Sequence, residues 1–330
     1  MDSVARLPDK QRQDLFAETA AKMKTVPAIP EKDFWVVWVL SKLFTDPNLG
    51  QILQFKGGTS LSKVFDVIGR FSEDIDLILD WREVVQDDPN QNRSKTQQVK
   101  FNEATNAQAI HYIRETLLPQ ISQVLSPLCS CTIDTNNPFA IAVGYPSLFN
   151  AGYLRPEILL EIGPLASWSP SAVFDVMPYA AAHFPEVFSQ PTCQVPTLLA
   201  KRTFWEKVTI LHQEAHRDLN KPMPLRYSRH YYDLALLAKS VIKEQALSDL
   251  GLLNEVVQFK QRFYPSTWAR YELAQSGTLK LLPLDERRKE VANDYDKMQE
   301  MIFAKHLTFA EIIESLQVLE NEINALSGQI

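Results

Sequence analysis

The sequence predicts an α+β fold, with a small mixed-sheet domain over residues 1–178 followed by a mainly helical domain over 179–330. Three observations carry this prediction. Short aliphatic runs bounded by turn residues recur through the first half, most clearly at 51–55, 74–79 and 156–162. From Leu198 onward the apolar residues recur at helical spacing instead. Prolines 178, 185, 191 and 196 punctuate the stretch where one pattern gives way to the other.

The elements follow in order. Residues 9–24 and 31–44 read as helices, the second with Trp35, Trp38 and Leu43 among its apolar positions and Pro30 just ahead. A buried strand over 51–55 ends at Gly57-Gly58, and Thr59 is placed to cap a helix running to about Val67, stopped by Gly69. Acid and aliphatic residues alternate over 74–79, so this strand sets Asp74 and Asp76 on one face and Ile75 and Leu77 on the other. Residues 87–100 are polar and aperiodic, which predicts a loop before a long helix over 102–125. Further strands are predicted at 132–134, 139–143 and 156–162, and helices at 198–216, 228–243, 246–263, 285–302 and 308–326.

Composition narrows the function classes. With 45% hydrophobic and 22% charged residues the chain is globular rather than disordered. No apolar run approaches the ~20 residues of a spanning helix, and residues 1–24 read as a charged amphipathic segment rather than a signal peptide, so no membrane role is expected. Three cysteines, Cys129, Cys131 and Cys193, make no disulfide framework, which points to the cytoplasm and to small buried hydrophobes. A net charge of −6 disfavours indiscriminate nucleic-acid coating. Residues 201–230 nevertheless hold seven basic and three acidic side chains, a footprint compatible with a phosphate-bearing ligand.

The chemistry concentrates between Phe55 and Leu79. A glycine pair at a strand end lets backbone N–H groups approach phosphate oxygens, and the helix that follows adds its dipole. Asp74 and Asp76 at i and i+2 lie about 6.6–6.8 Å apart along a strand, close enough to serve the same metal pair. Two such carboxylates call for a hard divalent cation between them, most simply Mg²⁺ carrying a triphosphate. Glu161, an acid inside the aliphatic run Ile158-Leu159-Leu160-Glu161-Ile162, is the candidate third ligand. The segment is no Walker A loop, because Lys63 is followed by Val64. His212 and His216 share a helix face, but the intervening glutamate is one position off the metalloprotease pattern and no third ligand is evident. They read as part of a basic face that meets phosphate. Trp205, Tyr227, Tyr231, Tyr232 and Trp268 read mostly as core, with one or two free to stack on a base.

The runs Phe55-Lys56-Gly57-Gly58-Thr59-Ser60-Leu61-Ser62-Lys63 and Arg70-Phe71-Ser72-Glu73-Asp74-Ile75-Asp76-Leu77 resemble the signature of the DNA-polymerase-β-type nucleotidyltransferases, and more narrowly of the AbiEii-type toxin family. Arg202-Thr203-Phe204-Trp205-Glu206-Lys207 and Ser228-Arg229-His230-Tyr231-Tyr232-Asp233-Leu234 resemble that family's later motifs, with His230 where an aspartate is commoner. The resemblance covers roughly residues 50–240. It implies that the first domain is the nucleotidyltransferase domain, with Gly57, Gly58, Thr59 and Ser72 at the nucleotide phosphates and Asp74 and Asp76 on Mg²⁺ in a two-metal site. Lys63 is implied near the phosphates or the metal-site carboxylates, Lys207 on the triphosphate, and Asp233 as the residue that completes the pocket. Read from the residues alone, Lys207 is equally a surface helix lysine, and Asp233 an acid pairing with Arg229 at i+4.

The activity implied is transfer of a nucleoside monophosphate from an NTP to an acceptor such as tRNA. The protein would then be the toxin of a type IV toxin–antitoxin, abortive-infection (phage defence) system with a cognate antitoxin protein as partner. The alternatives are transfer to a small molecule or a protein, and a catalytically inactive nucleotide- or RNA-binding module. The presence of Asp74, Asp76 and Lys63 argues against the inactive module.

Overall fold

A computed structural model describes residues 1–150 and 155–326. The chain divides into two compact units. One comprises Met1–Phe65 and Phe71–Leu198, and the other Asp66–Arg70 with the chain from Leu199 onward.

The first unit is built on one mixed seven-stranded sheet. Its strands are β1 (Leu53–Lys56), β2 (Ile75–Leu79), β3 (Ser130–Ile133), β4 (Ala140–Gly144), β5 (Glu157–Gly163), β6 (Ser171–Val176) and β7 (Cys193–Leu198). The order is β3-β4-β5-β2-β1-β7-β6, with β2/β5 and β1/β7 parallel and the other pairs antiparallel. The predicted α+β class holds, but the boundary at 178/179 moves to 198/199, because β7 still belongs to the sheet. Pro196 hides this strand from a sequence reading, since proline donates no ladder hydrogen bond. Its pairing with β1 is confined to Phe55↔Thr197, so the missing N–H is tolerated.

Helices α1 (Asp9–Met23) and α2 (Ala28–Thr45) belong to this unit. Phe34, Trp35, Val36, Val37, Val39 and Leu40 of α2 are almost wholly buried in the core that also takes Phe55, Ile75, Leu77 and Ile162. Helix α3 (Gly57–Lys63) starts directly after β1. Lys56 occupies its N-cap position, so Thr59 lies inside the helix rather than capping it, and the helix ends at Lys63, short of Val67 and Gly69. The predicted loop over 87–100 is also corrected. Ser94 and Gln97 form a capping box that starts α4 (Lys95–Tyr112). A π-helical turn at Ile113–Leu117 separates α4 from α5 (Leu118–Leu125), whose second residue is Pro119. A proline lacks the N–H that a continuous helix would need there. Of the cysteines only Cys193 is buried; Cys129 and Cys131 are half-buried, and all three are free thiols.

The second unit is helical. Its α6 (Ala200–Glu214), α7 (Ser228–Leu237), α8 (Val241–Leu247), α9 (Leu250–Phe263), α10 (Arg288–Met298) and α11 (Phe309–Ala325) follow the predicted order. The helix predicted over 228–243 is divided, because the Ser240 side chain accepts the Ile242 N–H and starts a new helix. No described helix is long and apolar enough to cross a membrane.

Candidate active site

The glycine turn and the aspartate strand meet at Asp76. Gly57 adopts φ +83°, a left-handed conformation that favours glycine, and a Cβ placed on it would lie 1.9 Å from Asp76 Oδ2. Any side chain at position 57 would therefore displace that carboxylate. Thr59 Oγ1 donates to the Asp74 carbonyl oxygen, which ties the first turns of α3 to the start of β2. Ser60 donates in turn to the Gly57 carbonyl at 2.8 Å. Gly58 lies in the first turn of α3, and Ser72 is half-buried two residues before Asp74.

Strand register carries the site across the sheet. Asp76 is opposite Lys56 on β1 and opposite Glu161 on β5, and Glu161 is opposite Ala140 on β4. Paired residues project from the same face, so Lys56, Asp76 and Glu161 form one cross-strand row. Asp74 sits one residue ahead of β2. Among the described residues no three His, Cys, Asp or Glu side chains converge as a ready cluster, so the register brings Glu161 beside Asp76 without closing a three-ligand cage.

Lys63 is paired within the first unit. Its Nζ lies 2.6 Å from Asp33 Oδ1 in a nearly buried pair and 3.6 Å from the centre of the Tyr179 ring. Asp33 also accepts the Tyr179 N–H at 2.6 Å. Burial pushes the Asp33 carboxyl up, and Lys63 opposes that shift. Lys63 thus anchors the end of α3 into the core, on the side chain next to two further buried charges. Lys32 donates to Glu73 at 2.7 Å and to the Arg155 carbonyl at 2.9 Å. Glu31 accepts from the Leu148 and Phe149 N–H groups at 2.7 and 3.2 Å. Sequence reading missed this trio; the available signal was Glu31-Lys32-Asp33 inside an otherwise apolar helix, where buried charge requires partners.

In the helical unit Lys207 and Asp233 are brought together. Lys207 Nζ lies 2.7 Å from Asp233 Oδ2, and Asp233 also pairs with Arg70 rather than with Arg229. Burial alone would push the Asp233 carboxyl up, but Arg70 and Lys207 hold it well below the usual carboxylate range. Four of the seven basic residues in 201–230 have acidic partners: Lys201 with Asp249, Arg202 with Glu206, Lys207 with Asp233 and Arg217 with Glu214. Two of those acids, Asp233 and Asp249, come from beyond the run, so it is a weaker phosphate footprint than its composition suggests. Trp205, Tyr231 and Tyr232 are buried.

His212 is also corrected, from a basic face to a core residue. Its Nδ1 accepts the Lys280 N–H at 3.1 Å, which leaves Nε2–H to donate to the Arg270 carbonyl at 3.1 Å. Burial pushes its pKa down to about 4 from an ordinary 6.5. Below pH ~6.5 the unfolded chain gains a proton that the folded chain refuses until about 4, so stability present above that window is lost on acidification through it. The loss expected from this ring is about 3 kcal/mol. Urea unfolding at pH 7 and pH 4.5 checks it: burial also pushes the His230 pKa well below 6.5, so His212→Gln should shrink the difference without abolishing it, and an unchanged difference would contradict this assignment.

The family model for the nucleotidyl transferase AbiEii toxin, type IV toxin–antitoxin system, matches residues 38–315. The chain belongs to the AbiEii nucleotidyltransferase toxin family. The matched span includes the Gly57 turn, Asp74, Asp76, Lys207 and Asp233; it begins within α2 and ends within α11. Among solved structures the chain is similar to MenT4, a nucleotidyltransferase toxin from Mycobacterium tuberculosis H37Rv, at 17% identity over 93% of this chain and 98% of that one, with a TM-score of 0.41. It is similar to JHP933 from Helicobacter pylori at 13% identity over 88% and 91% of the two chains, also with a TM-score of 0.41. No curated protein matches it by sequence.

Proposed function

We propose that this AbiEii-family chain transfers a nucleoside monophosphate from a nucleoside triphosphate to RNA, with tRNA as the acceptor and Mg²⁺ held by Asp74 and Asp76. The observation that carries this reading is the environment of Asp76. A glycine without room for a Cβ faces its carboxylate, a second acid stands beside it in register, and the turn of α3 is tied to Asp74. The donors are carboxylate oxygens, the ligand chemistry that hard Mg²⁺ takes. When bound, Mg²⁺ supplies Lewis-acid polarisation and offsets the triphosphate charge.

The chain's own residues do the rest. The Gly57-Gly58 turn lets phosphate oxygens approach backbone N–H groups at the start of α3. Within the helical unit, Asp233 holds Lys207 Nζ at 2.7 Å. The acceptor hydroxyl oxygen forms a new bond to the α-phosphorus, the α–β phosphoanhydride bond breaks, pyrophosphate leaves and the hydroxyl proton passes to solvent. Family membership supports a growth-arresting role in phage defence, in the cytoplasm, with a cognate antitoxin protein as partner.

The test supplies each α-labelled NTP in turn, with Mg²⁺ or with EDTA, to total RNA, to a small-molecule extract and to protein. Mg²⁺-dependent, RNase-sensitive label at tRNA length is expected. Label confined to protein or to small molecules would overturn the RNA acceptor, and no label in any fraction would overturn transfer.

A further inference from the structure

Three consecutive charged residues, Glu31, Lys32 and Asp33, are buried in the first half of α2. From adjacent positions, two ion pairs of opposite polarity run from this helix to the two segments that meet at Asp76. Lys32 reaches Glu73, the residue before Asp74. Asp33 reaches Lys63, the last residue of α3. All four side chains are at most 5% exposed.

Both oxygens of Asp33 are engaged. Oδ1 lies 2.6 Å from Lys63 Nζ, and Oδ2 accepts the Tyr179 N–H at 2.6 Å. The Tyr179 ring covers the ammonium, with Nζ 3.6 Å from the ring centre. The end of α3 is thereby tied to α2 and to the chain just past β6. Its beginning is tied to the site: Gly57 faces the Asp76 carboxylate without room for a Cβ, and Thr59 Oγ1 donates to the Asp74 carbonyl. A helix this short spans only about 10 Å, so a shift at Lys63 is carried to Gly57. A buried ion pair adds little net stability, because desolvation offsets much of the attraction. What it supplies here is a fixed position, since either charge left alone in the core is strongly destabilising.

We infer that Asp33 is a positioning residue for the proposed reaction: through Lys63 it fixes α3 against β2, so that the Gly57 turn leaves the Asp74 and Asp76 carboxylates where a divalent cation can use them. This rests on the reading of Asp74 and Asp76 given under the proposed function. Asp33 acts through α3 and is assigned no contact with metal or substrate.

The experiment follows steady-state transfer against Mg²⁺ concentration, beside amide hydrogen exchange of the metal-free protein. The proteins compared are the wild type, Asp33→Asn, Tyr179→Leu and Ile113→Ala, the last a large-to-small change at a buried core residue of the same unit. Asp33→Asn should raise the Mg²⁺ concentration for half-maximal transfer about tenfold, and should speed exchange over Gly57–Lys63 about as much. Tyr179→Leu keeps the ion pair and removes only the ring over the ammonium, so both changes should appear at about threefold. It carries the test where Asp33→Asn fails to fold. Ile113→Ala should reduce the amount of active protein yet leave half-saturation within about twofold of wild type, because losing active molecules does not change how the remainder bind. Half-saturation unchanged in Asp33→Asn, or in Tyr179→Leu where that variant carries the test, would overturn the role of Asp33 alone. So would a shift as large in Ile113→Ala, and faster exchange without a shift would make the tie purely structural. A wild type that transfers nothing would overturn the functional reading and this role with it, while exchange over α3 still shows whether Asp33 holds the helix.

Discussion

Asp76→Asn should lower nucleotide transfer by about a thousandfold or more, equivalent to about 4 kcal/mol of transition-state stabilisation, while the fold persists. The carboxylate faces Gly57 on one side and stands in register with Glu161 and Lys56 on the others. An amide fills nearly the same volume, so the Gly57 contact survives. What it lacks is the anionic oxygen that a hard divalent cation requires. Removing one of two neighbouring acids also relieves like-charge repulsion between Asp76 and Glu161. A thermal unfolding curve close to wild type, beside a transfer rate lost at saturating Mg²⁺, is the expected pair of results. Equal turnover in the two proteins would remove Asp76 from the chemistry.

Lys32→Met should have the largest effect on stability, a loss of about 3–5 kcal/mol, because it leaves Glu73 charged and buried without its cation. The pair is 0% and 3% exposed, and Glu73 also accepts the Arg155 N–H at 3.1 Å. Burial pushes the Lys32 pKa down, and Glu73 is the main influence opposing it. Replacing both partners, as Lys32→Met/Glu73→Leu, should recover much of the loss, since two apolar side chains of similar volume need no charge partner. Glu73 immediately precedes Asp74, so the single variant should also blunt transfer, through displacement of the start of β2. Chemical denaturation of the two single variants and the double variant gives the cycle. A single variant within about 0.5 kcal/mol of wild type would show that the pair contributes little.

Much of this fold was legible because its signals are local. Alternation over 74–79 announces a strand with one polar face, and the lone acid among Ile158, Leu159, Leu160 and Ile162 marks Glu161. The register then sets that acid beside Asp76, a relation that no sequence spacing contains. The far end of the sheet was illegible for opposite reasons. Strand β6 is largely exposed and lacks an aliphatic run, and β7 carries Pro196. Long-range pairing hid the rest. The resemblance implies Lys63 near the phosphates or the metal-site carboxylates, and its ion pair with Asp33, thirty positions upstream in α2, is a relation that no local spacing contains. Asp233 reads as a partner for Arg229 at helical spacing, but a buried carboxylate is satisfied best by the fork of Arg70, far away in the chain.

The most direct measurement of the central claim follows the label through one turnover. Wild-type protein and Asp76→Asn are given the same NTP, labelled at the α-phosphate in one reaction and at the γ-phosphate in the other, with Mg²⁺ and tRNA. For a nucleotidyltransferase that uses Asp74 and Asp76, the α-label should enter tRNA and the γ-label should leave as pyrophosphate, with neither event in the variant. Gamma-label in the RNA, α-label retained in a nucleoside diphosphate, or equal transfer by Asp76→Asn would contradict it.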